Sequence, residues 1–222
     1  MSQALLRLAA DSPGLQVVAA VQRQVGQRVV DGVPHFTSGE LAGAPEFDVA
    51  VDFSLPEGFS AMLELCVARG AAFVSGTTGI ADGQRTALEA AAGRIPVLWA
   101  SNFSLGVAVL DELVERAAAA LPGWDCDIVE SHHVHKRDAP SGTALSLGES
   151  ARRGGAEPRY ASLRAGDIVG EHLVQFTTAG ERIELVHRAG SRDIFAQGAL
   201  VAAQRLAGRS AGCYGLRQLL FG

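Results

Sequence analysis

Short apolar runs alternate with longer amphipathic stretches through the first hundred residues. Ser2 to Ala10 has helical spacing and ends at the turn sequence Asp11-Ser12-Pro13-Gly14, after which Leu15 to Val21 reads as a buried strand. The alternation continues with a strand from Val49 to Phe53 and a helix opened by Ser54, with Glu57 three residues on and a stop at Gly70. Strand Ala72 to Ser75, loop Gly76-Thr77-Thr78-Gly79, a helix from about Asp82 to Ala92 and strand Ile95 to Ala100 follow. Apolar strands separated by helices specify a parallel sheet covered on both faces, because each parallel connection must cross over the sheet.

Beyond Asn102 the texture changes. A long helix from Leu105 to Ala120 leads into strand Cys126 to Glu130 and then a polar, His-rich loop. Ala161 to Arg164, His172 to Thr177 and Arg182 to Arg188 have strand composition, with Ala179-Gly180 as the turn of a hairpin. These strands predict an antiparallel or mixed sheet, hence a second, α+β domain. Ser191 is placed to cap a last helix reaching about Ala207.

Composition narrows the function. Of 222 residues 48% are hydrophobic and 26 are Gly, which suits a packed α/β enzyme with many tight turns. The net charge of −5, without a long run of one sign, gives no footprint for nucleic acid or an anionic membrane, so a small-molecule partner is expected. Cys66, Cys126 and Cys213 are odd in number and far apart, which argues for a reducing compartment. With no apolar run of ~18 residues and no signal-like start, the expected location is cytoplasmic.

The chemistry concentrates at the exit of one strand. His132, His133 and His135 fall within four residues and are followed by Lys136, Arg137 and Asp138. Such a cluster exchanges protons or binds anions. A metal site is not expected, since adjacent His132 and His133 tend to point apart and no Cys is near. Lys136 is the only Lys among 19 basic residues; where Arg otherwise supplies charge, a lone Lys suggests a group that gives up a proton. Ala139-Pro140-Ser141-Gly142-Thr143 then opens an apolar helix, and the Ser141, Gly142 and Thr143 amides at its start either form an anion site suited to a carboxylate or serve only to cap the helix.

The run from Glu130 to Ala144 resembles the signature of the dihydrodipicolinate reductase family. Matches in family order extend over nearly the whole chain: Val51 to Glu57, Gly76-Thr77-Thr78-Gly79, Ala100 to Ser104, Arg164 to His172 and Ser191 to Ala196. The resemblance implies a Rossmann-like dinucleotide domain of about residues 1–103 completed by 196–222. A substrate and oligomerisation domain over 104–195 would lie between them, commonly in a homotetramer. It also implies reduction by NADH or NADPH of a six-membered cyclic imine dicarboxylate, formed by loss of water from a hydroxylated precursor, in the diaminopimelate route to lysine. His132 matches the acid–base residue and Lys136 the proton donor. His133, Ser141, Gly142 and Thr143 match substrate-binding positions; Gly76, Thr77, Thr78, Ala100, Ser101, Asn102 and Phe103 match loops that contact the cofactor.

Two departures carry expectations. Met1-Ser2-Gln3 matches the start of a helix that in the family follows a strand and a Gly-rich turn, so an upstream segment supplying both, and weak dinucleotide binding without it, are expected. Gln22 and Arg23 stand where a ribose-binding acid is often found, and Arg23 suits a 2′-phosphate, so NADPH should be accepted at least as well as NADH. Competing readings are another amino-acid-pathway dehydrogenase, which leaves the His-His-x-His-Lys run unexplained, and a non-catalytic dinucleotide-binding or regulatory relative.

Overall fold

The computed structural model describes residues 1–24 and 26–222, and they divide into two units. The first comprises Met1–Phe103 and Phe195–Gly222; the second is Ser104–Ile194. In chain order the first unit holds α1 (Ser2–Ala10), β1 (Ala20–Gln22), β2 (Val29–Val30), β3 (Val33–Thr37), a 3-10 turn (Ser38–Gly43), β4 (Val49–Asp52), α2 (Pro56–Arg69), β5 (Ala72–Ser75), α3 (Asp82–Ala92) and β6 (Pro96–Trp99). The second holds α4 (Leu105–Ala120), β7 (Asp125–His132), α5 (Gly142–Arg153), β8 (Pro158–Arg164), β9 (Gly170–Thr178) and β10 (Glu181–Ala189). Helix α6 (Asp193–Leu206) returns the chain to the first unit, which ends with β11 (Gly212–Tyr214) and α7 (Leu216–Phe221).

The first unit contains the expected parallel sheet, in the order β11-β6-β5-β4. Every residue of β5 is buried, as a central strand covered on both faces requires. Phe59, Leu63 and Cys66 of α2 and Leu88 and Ala91 of α3 form one core with Phe73 and Val97. Strand β1 belongs instead to a separate sheet, pairing parallel with β3, which pairs antiparallel with β2.

The predicted strand from Leu15 to Val21 shrinks to Ala20–Gln22. Its partner offers only three register positions, starting at Ala20↔His35, because Pro34 has no N–H to carry the ladder further. Helix α2 begins at Pro56 with Leu55 as N-cap, so Ser54 stands one residue too early; proline's fixed φ and missing N–H suit the first helical position. Gly70 does end it, in the left-handed region at φ 67°. The sequence reading left β2, β3, the 3-10 turn, β11 and α7 unassigned. Asp31 and Gly32, at φ 50° and 79°, turn the β2–β3 hairpin, and an Asp-Gly pair between β-branched residues was a usable signal.

The second unit is a mixed sheet in the order β10-β9-β7-β8, with only β7 and β8 parallel. The Ala179-Gly180 turn joins β9 and β10 as expected. Leu110, Val114 and Ala118 of α4 and Ala144, Leu147 and Ala151 of α5 pack on Cys126, Ile128, Val174 and Phe176. Strand β7 runs past its predicted end at Glu130, because its ladder with β8 continues to His132↔Arg164. His132 is therefore held by sheet hydrogen bonds rather than lying in the loop. Ser191 accepts the Asp193 N–H, yet α6 starts at Asp193 itself, so its predicted cap is displaced by one residue.

Candidate active site

Alternation along β7 puts Cys126, Ile128, Glu130 and His132 on its buried side. The first two extend the apolar core; the last two turn its far end polar. Cross-strand pairing then sets Glu130 opposite His172 of β9, and His172 opposite His187 of β10, while Arg164 of β8 lies beside His132. One end of the sheet thus carries a carboxylate, a guanidinium and three imidazoles.

Glu130 is 1% exposed and has four donors. Arg164 grips it with a two-pronged contact of 2.8 and 2.9 Å, Ser141 donates its backbone N–H at 3.2 Å, and His132 Nδ1 lies 2.5 Å away. Burial alone would raise the Glu130 pKa, but hydrogen bonds from Arg164, Ser162 and His132 bring it down to about 2. The His132 and His172 rings meet edge to face at 5.2 Å. His172 Nε2 is 3.3 Å from Ser141 Oγ, and burial, then the nearby His132 and His187, lower its pKa to about 4. His187 sits 3.3 Å from Ser104 Oγ and is lowered by burial. A Cβ at Gly170 would lie 3.1 Å from His132 Nε2, so glycine leaves that nitrogen room.

The loop beyond β7 is built on the same side chains. Lys136 donates its N–H to His133 O, and its Nζ is 2.8 Å from Asp138 Oδ1. The Asp138 carboxyl is held below its usual range, first by Lys136 and also by the Gly142 amide. Arg164 Nη2 reaches Asp138 O, so one guanidinium ties this loop to Glu130. A cavity of about 310 Å³ is lined by His133, His135, Gly166, Asp167 and Arg192. Gly142 is exposed and Thr143 half-buried at the start of α5. Ser141 departs from the expectation for it: it is 1% exposed, its N–H goes to Glu130 and its Oγ accepts the Ala144 N–H, making it a cap and not an open amide.

In the first unit, Asp52, Ser75 and Trp99 align at the carboxyl ends of three parallel strands. The loops that follow them carry Gly76 to Thr78 and Ala100 to Phe103. Asp52 accepts the Ser75 and Thr77 hydroxyls, both at 2.8 Å, and the Ser54 N–H at 3.0 Å. The Thr77 side chain is therefore committed to fixing the loop, and Phe103 is buried against Phe53 with ring centroids 5.4 Å apart. Thr78 and Ser101 are exposed, and a Cβ at Gly76 would overlap the Phe53 ring. Gln22 closes β1, with Arg23 exposed beyond it. The unit division assigns the first-unit cofactor candidates and the His–Lys cluster to different bodies.

Sequence reasoning gave no role to Glu130, Arg164, His172, His187 or Asp52. A Glu two residues before His132 in a strand shares its face, and that spacing was the available signal for Glu130.

A Rossmann-like parallel sheet followed by an α+β unit bearing a buried cluster of imidazoles, a carboxylate and a guanidinium is an architecture shared by dinucleotide-dependent oxidoreductases. Residues 1–103 match the family described as dihydrodipicolinate reductase, N-terminus, and 106–220 match dihydrodipicolinate reductase, C-terminus. The 4-hydroxy-tetrahydrodipicolinate reductase of Stenotrophomonas maltophilia strain K279a is 74% identical over 99% of this chain and 93% of its own length. That of Xylella fastidiosa strain 9a5c is 64% identical with the same coverage. The fold is shared with the dipicolinate-bound dihydrodipicolinate reductase from Paenisporosarcina sp. TG-14, at TM-score 0.80, 20% identity, and 96% and 92% coverage. The chain belongs to the dihydrodipicolinate reductase family.

Proposed function

We propose that this chain reduces 4-hydroxy-tetrahydrodipicolinate, by way of its dehydrated cyclic imine, to tetrahydrodipicolinate in the diaminopimelate route to lysine, with the residues around His132 and Lys136 as its catalytic centre. The observation that carries the site assignment is the buried end of β7, where an acid–base imidazole, a lysine and a helix start converge. His132 acts in proton transfer and Lys136 donates a proton while opposing negative charge on the reacting ring. His133, Gly142 and Thr143 receive substrate carboxylate. The Gly142 amide donates to the Asp138 carboxylate, so a substrate carboxylate would take the place that Asp138 holds there.

The first unit suits a dinucleotide: small residues follow the carboxyl ends of parallel strands, and the Asp52 network holds their loop in one shape. Gly76, Thr78, Ala100, Ser101 and Asn102 would hold NADPH or NADH, with Thr77 and Phe103 supporting them from beneath and Gln22 and Arg23 placed for the adenosine ribose. The reduced nicotinamide supplies hydride when bound. Residues 1–103 with 195–222 thus form the cofactor domain and 104–194 the substrate domain. Exposed Leu163 and Val186 on the sheet side away from α4 and α5 support homotetramer assembly. Free thiols at Cys66, Cys126 and Cys213 support a cytoplasmic setting. Among the described residues no helix is long and apolar enough to cross a membrane.

Steady-state oxidation of NADPH and NADH with freshly made substrate tests the activity. Turnover that requires the hydroxylated dicarboxylate, with kcat/KM for NADPH at least equal to that for NADH, is expected. Dinucleotide binding without turnover would favour a non-catalytic relative.

A further inference from the structure

We infer that Glu130 is a positioning residue for His132, and that Arg164 fixes Glu130 and the Lys136 loop together. The inference rests on the acid–base reading of His132. A buried carboxylate only accepts hydrogen bonds, so the His132 nitrogen 2.5 Å from Glu130 Oε2 carries the proton. That proton is on Nδ1, which leaves Nε2, on the side kept open by Gly170, as the nitrogen that exchanges protons with substrate. Glu130 thereby selects the tautomer and aims the ring, and its negative charge favours the imidazolium that forms when Nε2 takes a proton.

Arg164 prevents the carboxylate from turning. Its fork occupies one site on each Glu130 oxygen, leaving Oε2 directed at His132 and Oε1 at the Ser141 N–H that opens α5. The same guanidinium holds Asp138 O, two residues beyond Lys136. Glu130 and Arg164 thus connect three parts that must act on one substrate: the imidazole, the lysine loop and the carboxylate-receiving helix start. Around Glu130 stand Arg164 and Ser162 from β8, the Ser141 amide and His132; the His132 ring meets His172 of β9, on which His187 and Lys136 act in turn. None of the others in this set is an anion, so Glu130 is the group in it that accepts the Nδ1 proton.

Glu130→Gln keeps the shape but turns an NH2 towards one of the donors. Its kcat should fall about 10- to 100-fold while KM for the cofactor stays within about two-fold. A limb of the kcat–pH profile should move, and the imidazole 15N shifts of His132 should lose the single Nδ1–H tautomer. Loss of a merely structural contact would lower stability without moving that limb. Glu130→Asp, which keeps the charge on a shorter arm, should lower kcat while leaving the limb near the parent position, and it carries the test if the Gln variant does not fold. A parent-like profile and tautomer in Glu130→Gln, or undiminished kcat in Glu130→Asp, overturns the proposal. His132→Gln, measured alongside, separates the two readings: near-normal turnover there removes the acid–base assignment and this proposal with it.

Discussion

Two buried carboxylates close two strands of this protein, and they are satisfied in different ways. Asp52, at the end of β4, is 6% exposed and accepts from two hydroxyls and one backbone amide, all neutral donors. Glu130, near the end of β7, is 1% exposed and accepts from a guanidinium, an imidazole, a hydroxyl and an amide. Neutral donors hold a loop in shape and do not respond to pH over the working range. An imidazole responds, so the Glu130 network can couple protonation to position, whereas the Asp52 network supplies a rigid floor. Under the proposed mechanism only the Glu130 network should leave a mark on proton-transfer kinetics.

The sharpest break in this comparison is His132→Gln. Removing the imidazole proposed to exchange protons at the responsive end should lower kcat by ~10²–10⁴ without loss of fold. Stopped-flow or steady-state oxidation of NADPH, with far-UV circular dichroism as the control for folding, measures it. Near-normal turnover would dissociate the His132 network from the chemistry.

Lys136→Arg comes next. It keeps the positive charge beside Asp138 but replaces a group that can release its proton with one that remains protonated. A fall in kcat of about 10²-fold is expected, within the range for loss of general-acid action. An Arg variant as fast as the parent would reduce Lys136 to an electrostatic anchor.

The responsive network should also be visible in stability. His172 is buried, and its pKa is lowered from 6.5 to about 4. Its neutral form is the folded form, so stability is full above the unfolded value and is lost as pH falls from about 6.5 towards about 4, where the unfolded chain takes a proton that the native one resists. The difference corresponds to about 3 kcal/mol at its limit. The Glu130 carboxyl, lowered from 4.5 to about 2, loses its contribution as pH falls from about 4.5 towards about 2, so its window begins about where that of His172 ends. Urea unfolding of His172→Asn should show a flatter dependence between about 6.5 and about 4 than the parent, although the variant is less stable at neutral pH. Parallel curves would assign the acid sensitivity elsewhere, with His187 the next candidate because its pKa is lowered in the same direction.

Much of this arrangement was legible in the sequence. Helices α1, α3 and α4 and strand β5 occur where apolar spacing and stop signals placed them, because each has a strong local pattern. The His–Lys run stood out by its density of imidazoles and its lone Lys, and the fold sets His132 beside Glu130 and Lys136 beside Asp138. Pairing was not legible. Neither the truncation of β1 at Pro34 nor the extension of β7 to His132 has a purely local cause, since both depend on what the partner strand offers. Ser141 misled for the same reason: as a helix start it offered an amide, and only the fold shows Glu130, 11 residues earlier, accepting it. Arg164 was quoted within a motif, but its link to Glu130 spans 34 residues and follows from strand register.

The smallest effect tests the comparison from its rigid side. Asp52→Asn keeps an acceptor for the Ser54 N–H, but its NH2 now faces two hydroxyls that were donating. The Ser75 hydroxyl can turn to accept, while Thr77 also reaches Ser54 O at 3.2 Å and can keep donating there. The network should therefore rearrange rather than collapse, costing about 1–3 kcal/mol, or a Tm lower by about 2–10 °C for a chain of this size. Because no titrating partner is involved, the limb of the kcat–pH profile that Glu130→Gln is expected to move should stay at the parent position, and any kinetic change should fall on KM for the cofactor through the Thr77 loop. Calorimetry and a pH series on one preparation supply both readouts. If Asp52→Asn displaced the limb as Glu130→Gln is expected to, the two carboxylates would not differ in kind, and the division between a rigid floor and a responsive network would fall.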